Sequence, residues 1–426
     1  MPEIRLWLAP LYLLWGLWVL QAVLCAIQAK KFRGKLDRGD RQKFHDFTPP
    51  AVIVVPFKDI DSAGVANIHA LFRQDYPDYR VIAVVESEDD PALPVLQREL
   101  AAAQNGSTRG DIVVAGLSGP HQGQKVHNQL AALDHLERFR PHNQPRHPDE
   151  VWVFADSDAV PNRAWLGRLI GPLQKRESNA VTTGYRWFVP GRGSRARFPL
   201  GAQVASCINA GVATFMAYDR FAFAWGGSMA LRAETAERGG LRERWAGALS
   251  DDYQMTALAR GLGMRVYFIP ACLVESPLTF DLPAFLEFAR RQYVITRVHA
   301  PRLFRQAFAV VALYVVAWLA AAAALALGAL QRDPHLWAPA AAAGLLVFAL
   351  NQLRHHQRRH AIKSLFRSGT LQRLSPALRL DRWATPLVFT LNLMAFLSAA
   401  FQRRITWRGR TYLMRGPQRV EELRHP

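Results

Sequence analysis

Two carboxylates one residue apart, Asp156 and Asp158, close the apolar run Val151–Ala155. In a strand, residues i and i+2 face the same way, so the pair is expected to project together from the strand's C-terminal end. Open α/β sheets place their ligands at that end. Two hard oxygen donors there suit a Mg2+ or Mn2+ ion that also holds phosphate oxygens. A lone Asp-x-Asp occurs in ordinary turns too, so its companions decide. Asp90 ends an acidic turn after an earlier apolar strand, and Lys125 lies in a glycine-containing loop. Asp251 and Asp252 stand at the start of a helical run, Gln254 to Arg260. A carboxylate there often does no more than cap the helix, but two side by side next to an apolar strand raise the odds of a catalytic role.

Gathered in one site with Arg291, these residues can divide the work of a group transfer. The Asp156/Asp158 pair would hold a divalent ion against a diphosphate and stabilise charge on the leaving group. Lys125 and Arg291 would add cationic contacts to the same phosphates. Asp90 can accept hydrogen bonds from a base or ribose, and Asp252 can take the proton of an attacking hydroxyl. One base and a metal-bound leaving group suffice for a single in-line displacement at a sugar carbon, with inversion. A retaining hydrolase would instead need a carboxylate nucleophile and an acid about 5 Å apart, and nothing marks such a pair.

The elements around these residues read as α/β. Strand-like runs at Ala51–Val55, Tyr79–Val85, Asp111–Ala115 and Val151–Ala155 alternate with helical segments near 67–73, 93–103 and 126–138. That alternation predicts a mostly parallel sheet. The stretch 190–222 looks less regular and is expected to cover the site. After it, Gly226-Gly227 beside an apolar strand suits a place where backbone approaches a ligand closely, although on that segment alone a plain turn before a strand is the better reading.

The chain of 426 residues carries a formal net charge of +19 and three scattered cysteines, with neither a disulfide framework nor metal-knuckle spacing. Leu6–Ile27 is long and apolar enough to cross a bilayer, and Lys30, Lys31, Arg33 and Lys35 follow it. By the positive-inside rule the following domain is cytoplasmic, at the inner membrane in a bacterium. Further apolar segments lie at 307–330, 336–353 and 384–401, the second turning polar at its end. The expected organisation is a transmembrane anchor (1–30), a basic linker (31–48), a cytoplasmic domain (49–284), an amphipathic helix (285–305), a transmembrane region (306–402) and a basic tail (403–426). Three crossings after a cytoplasmic domain would put the basic tail outside, against the same rule. Either one segment does not cross or the tail is an exception. Many basic residues cluster beside apolar spans, which points to anionic membrane lipids as partners and not to nucleic acid.

The order of motifs resembles inverting membrane glycosyltransferases of the family 2/21 type, specifically those like ceramide glucosyltransferase (glucosylceramide synthase). The likeness is carried by Asp75–Tyr79 leading to Asp89-Asp90-Pro91-Ala92, by Asp156-Ser157-Asp158, by Gly226–Met229, by Asp251-Asp252-Tyr253 and by the tail Ile405–Tyr412. It implies a nucleotide-sugar-binding, Rossmann-like domain of GT-A type with N- and C-terminal transmembrane helices. It also implies Asp90 on the uridine of a UDP-sugar, Asp156 and Asp158 on the diphosphate and metal, and Asp252 as general base. The last family motif, Gln or Arg, two variable residues, then Arg-Trp, is present here only as Arg291, because Val294-Ile295 replace the Arg-Trp. In related polymer synthases the Trp helps hold the acceptor, so a polysaccharide product is disfavoured. UDP-glucose and ceramide are the substrates the resemblance suggests; diacylglycerol or a hopanoid would use the same chemistry. A non-catalytic membrane scaffold would be expected to have lost these carboxylates, and all of them are present.

Overall fold

A computed structural model describes residues 8–39, 47–59, 62–104, 109–140, 145–191, 199–407 and 409–423. In chain order its elements begin α1 (Ala9–Gly39), β1 (Ala51–Pro56), α2 (Ser62–Leu71), β2 (Tyr79–Val85), α3 (Leu93–Gln104), β3 (Arg109–Val114), α4 (Gln124–Arg138) and β4 (Val151–Ala155). They continue as α5 (Trp165–Ile170), β5 (Asn179–Pro190), α6 (Leu200–Phe215), β6 (Ser228–Arg232), α7 (Ala233–Arg238), α8 (Leu241–Trp245), α9 (Asp251–Gly261) and β7 (Arg265–Leu278). Last come α10 (Leu282–His299), α11 (Pro301–Leu330), α12 (Pro334–Leu365), α13 (Ser368–Trp383), α14 (Thr385–Ala399), β8 (Arg404–Trp407), β9 (Arg410–Gly416) and β10 (Arg419–Leu423). Two compact units result. One is Lys35–Trp187, Met216–Ser276 and Arg403–Pro426; the other is Met1–Gly34, Phe188–Phe215 and Pro277–Gln402.

The first unit is built on a seven-stranded sheet of order β3-β2-β1-β4-β6-β5-β7. Strands β1, β2, β3 and β4 run parallel, with Val54 opposite Ile82 on one side and Phe154 on the other. Strands β1, β2 and β4 are covered on both faces, which is why they read as apolar runs, whereas β3 lies at the edge of the sheet and is partly exposed. Their C-terminal ends emerge along one edge. Strand β6 runs antiparallel to β4, with Ala155 opposite Ser228. The Gly226-Gly227 turn therefore arrives beside the residue where β4 gives way to Asp156.

The second unit is helical. Helices α1, α11 and α12 are long and apolar enough to cross a membrane. Trp15 and Trp18 of α1 pack with Tyr314, Ala317 and Ala321 of α11 and with Ala340 and Val347 of α12. The expected amphipathic segment is α10, whose apolar face is buried through Phe285, Ala289 and Val294. Tyr293 stacks on Phe396 of α14 with ring centroids 3.7 Å apart. Beyond the apolar part of α12, buried Arg354 and Arg358 both reach Asp381 of α13, at 2.9 and 3.4 Å. The stretch 190–222, read from sequence as irregular, contains the sixteen-residue α6, while its residues 192–198 lie outside the described ones. Alanine, glycine and serine dilute the apolar periodicity there.

The tail strands β8–β10 form a three-stranded antiparallel sheet and belong to the unit that holds the large sheet. Both sheets therefore lie on one side of any membrane, and the chain between 277 and 402 must cross it an even number of times. Helices α11 and α12 are long and apolar enough for two crossings. Helix α14, with 15 residues, is about 22 Å long against roughly 30 Å of hydrocarbon and is short for a third. Cysteine reporters at Gln331, between α11 and α12, and at Arg419, in β10, should react with an impermeant maleimide from opposite faces of sealed vesicles. Labelling of both from one face would contradict the hairpin.

Candidate active site

Lys125 is the second residue of α4, and the loop before it is held by one side chain. Gln124 accepts from the Ser118 N–H at 2.8 Å and donates to the Gly116 carbonyl at 2.9 Å and to Asn128 at 2.7 Å. The Lys125 ammonium lies 2.6 Å from Asp156 Oδ1 and 2.9 Å from Asp251 Oδ2. Asp251 is 4% exposed, and Gln129 donates to its Oδ2 at 2.8 Å while the Trp245 indole donates to its carbonyl at 3.2 Å. Burial works against the charge on Lys125, but the carboxylates of Asp156 and Asp251 outweigh it and hold the pKa above the ordinary lysine range. A buried lysine so paired stays an ammonium, which is the state that binds phosphate.

Asp252 stands at the start of α9, where Ser250 is the N-cap. The Ser250 hydroxyl and the Tyr253 N–H, at 2.7 Å, both donate to Asp252 Oδ1. Loss of solvent contact, followed by the neighbouring Asp251 charge, pushes its carboxyl up to about 6; the Ser250 hydroxyl, Lys125 and the Tyr253 N–H pull in the other direction. A carboxylate with that affinity for protons is a competent general base near neutral pH.

Asp156 is the first residue past β4 and is half-buried. Asp158 is exposed in the turn that follows. The pair is thus set by turn geometry and not by the alternation of a strand, and Asn67 secures the turn by donating to the Ser157 carbonyl. Asp90 is buried at the head of α3, its Oδ1 accepting from the Ala92 N–H at 2.9 Å. Arg291 belongs to the helical unit, where its guanidinium lies over the Phe288 ring, 5.3 Å from the centroid. The described residues contain no cluster of three or more His, Cys, Asp or Glu side chains able to hold a metal alone. The two-carboxylate donor set at Asp156 and Asp158 suits a hard divalent ion that draws its remaining ligands from phosphate and water.

Two roles were not read from sequence. Asp251 reads there, beside Asp252, as one of two candidate catalytic carboxylates, yet it is the buried partner of Lys125; adjacent helical residues point about 100° apart, so the two carboxylates take different environments. Gly226 is the second. A Cβ there would sit 2.6 Å from both Lys125 Nζ and Asp251 Oδ2, and a Cβ on Gly227 would strike the Trp225 indole at 2.2 Å. The close approach at Gly226 is to an ion pair of the chain itself. Gly226→Ala should lower turnover at least tenfold and cost about 1–3 kcal/mol of stability through overpacking, read by thermal unfolding and by initial rates; native values for both would contradict the packing role.

The family model described as Glycosyl transferase family 21 matches residues 14–420. No curated protein matches the chain. Among solved structures, a mannosyltransferase from Pyrobaculum calidifontis in complex with GDP-Man and Mn2+ is 14% identical, with 91% of this chain and 99% of that one covered and a TM-score of 0.44. TarS of S. aureus is 14% identical over 88% of this chain and 60% of its own, with a TM-score of 0.33. Glucosyl-3-phosphoglycerate synthase of M. tuberculosis is 13% identical over 63% and 85%, with a TM-score of 0.35.

Proposed function

The chain belongs to glycosyl transferase family 21, and we propose that it moves a hexose, glucose by preference, from a UDP-sugar to a lipid hydroxyl such as that of ceramide, with inversion. The observation that carries this reading is the joining of Asp252 to Lys125 through Asp251 at the C-terminal edge of the parallel strands: a base and a phosphate-binding cation in one network. Asp90 would receive the uridine. Lys125 would meet the diphosphate, and Asp156 and Asp158 would hold a Mg2+ or Mn2+ ion there, which supplies charge neutralisation of the leaving group when bound. Asp252 takes the proton of the acceptor hydroxyl as its oxygen attacks the anomeric carbon, and the carbon–oxygen bond to the diphosphate breaks on the opposite face. A role for Arg291 on the phosphates, carried only by the motif, belongs to the same proposal.

A lipid acceptor is favoured by the company the site keeps in sequence, with apolar α1 before it and α11 and α12 after it. The basic end of α1, the basic segment after the apolar part of α12 and the basic tail all fall on one side if α14 does not cross. The positive-inside rule then makes that side cytoplasmic without an exception.

Asp252→Asn should abolish transfer and leave UDP-sugar binding largely intact; lost binding with residual turnover unchanged would remove it as the base. The carboxyl raised to about 6 must be ionised to act, so kcat/KM should fall tenfold per pH unit below about pH 6. Ser250→Ala removes a hydrogen bond that favours the charged form and should move that limb to higher pH; a limb that stays in place would contradict the assignment. Radiolabelled UDP-glucose, given to purified protein with Mg2+ or Mn2+, ceramide and diacylglycerol, should yield a labelled lipid on thin-layer chromatography. Label confined to a polymer would overturn the lipid acceptor.

A further inference from the structure

We propose that the β8–β10 sheet is a positioning element of the donor site and that Arg410 acts through Glu86; the proposal builds on the sugar-nucleotide reading above. Three segments carry Asp90, Lys125 and Asp252, and the tail touches all three. Glu86 directly follows β2 and opens the acidic turn that ends at Asp90. Arg410 reaches its two carboxylate oxygens at 3.3 and 3.4 Å, and Lys58 reaches Oε1 at 3.1 Å. On its other side Arg410 meets Glu422 at 3.3 Å. Two cations and two carboxylates thus neutralise one another and hold the turn that leads to Asp90. The Glu422 N–H donates to the Pro120 carbonyl at 2.7 Å, in the loop that leads to Lys125. Gln254, two residues after Asp252, donates to the Pro417 carbonyl at 2.9 Å. Gln418 donates to the Glu243 carbonyl at 2.6 Å. The backbones approach so closely at this corner that a Cβ on Gly247, whose φ is +71°, would lie 2.5 Å from the Gln418 carbonyl oxygen.

Each loop ends a different strand or starts a different helix, and nothing in the parallel ladder sets their mutual spacing. A hydrogen-bonded sheet that bridges them does. Misplacing a substrate-binding loop by about 1 Å can cost a hundredfold in rate.

The test uses the full-length protein in detergent. In Arg410→Ala without nucleotide, backbone hydrogen exchange in peptides covering 86–90 and 117–124 should quicken about tenfold. The UDP-sugar KM should rise about tenfold, by more than kcat falls. Arg410→Lys, which keeps the charge but not the forked geometry, should recover part of both, and Gln254→Ala should loosen the α9 corner independently. Unchanged exchange with an unchanged donor KM would overturn the proposal, as would a fall in kcat at constant KM. Exchange that quickens in a protein that uses no sugar nucleotide would uphold the clamp and bring down the transferase reading instead.

Discussion

One ion pair network organises the catalytic unit. The Lys125 ammonium is shared between Asp156, at the exit of β4, and Asp251, at the entrance of α9, and it enters the site from the first turn of α4. Three elements far apart in the chain are brought to one point by a single buried cation. Removing the lysine would strand Asp251 in the interior with Gln129 as its side-chain donor, a loss of about 3–5 kcal/mol. The same network sets the chemistry. Burial, and after it the charge of Asp251, raises the proton affinity of Asp252, and Gly226 keeps the space in which Lys125 and Asp251 can pair.

Around this point the fold separates two tasks. Parallel strands present their ends to a nucleotide, while helices α1, α11 and α12 have the length and apolarity to hold the protein in a bilayer. The tail reconciles them. The strands β8–β10 belong with the large sheet, and two crossings by α11 and α12 would bring the chain back to the side it left. The short α14 then fits as a helix that packs on α10, through Tyr293 and Phe396, without reaching the far surface.

The alternation of buried apolar strands with helices was legible in the sequence, because strands covered on both faces are continuous apolar runs. Asp90 and Asp156 could be singled out because they follow apolar strand runs, and Lys125 and Asp252 because they open helical ones. The antiparallel direction of β6 was not, since no local signal records which way a strand pairs. Nor was the division of labour between Asp251 and Asp252, which depends on long-range partners such as Gln129 and Trp245. Helix α6 was hidden by its small residues. Composition alone left α14 open, as apolarity licenses a crossing; its 15-residue length and the return of the tail to the sheet argue against one.

The position of β8–β10 in the chain has a consequence for biosynthesis. A ribosome completes Asp90, Lys125, Asp156 and Asp252 long before it makes Arg410, and the membrane hairpin lies between. A nascent chain halted in that hairpin would carry every carboxylate of the site but none of the strands that bridge its loops. Maturation of the enzyme is thereby tied to completed insertion, and half-made chains in the membrane hold their loops unjoined.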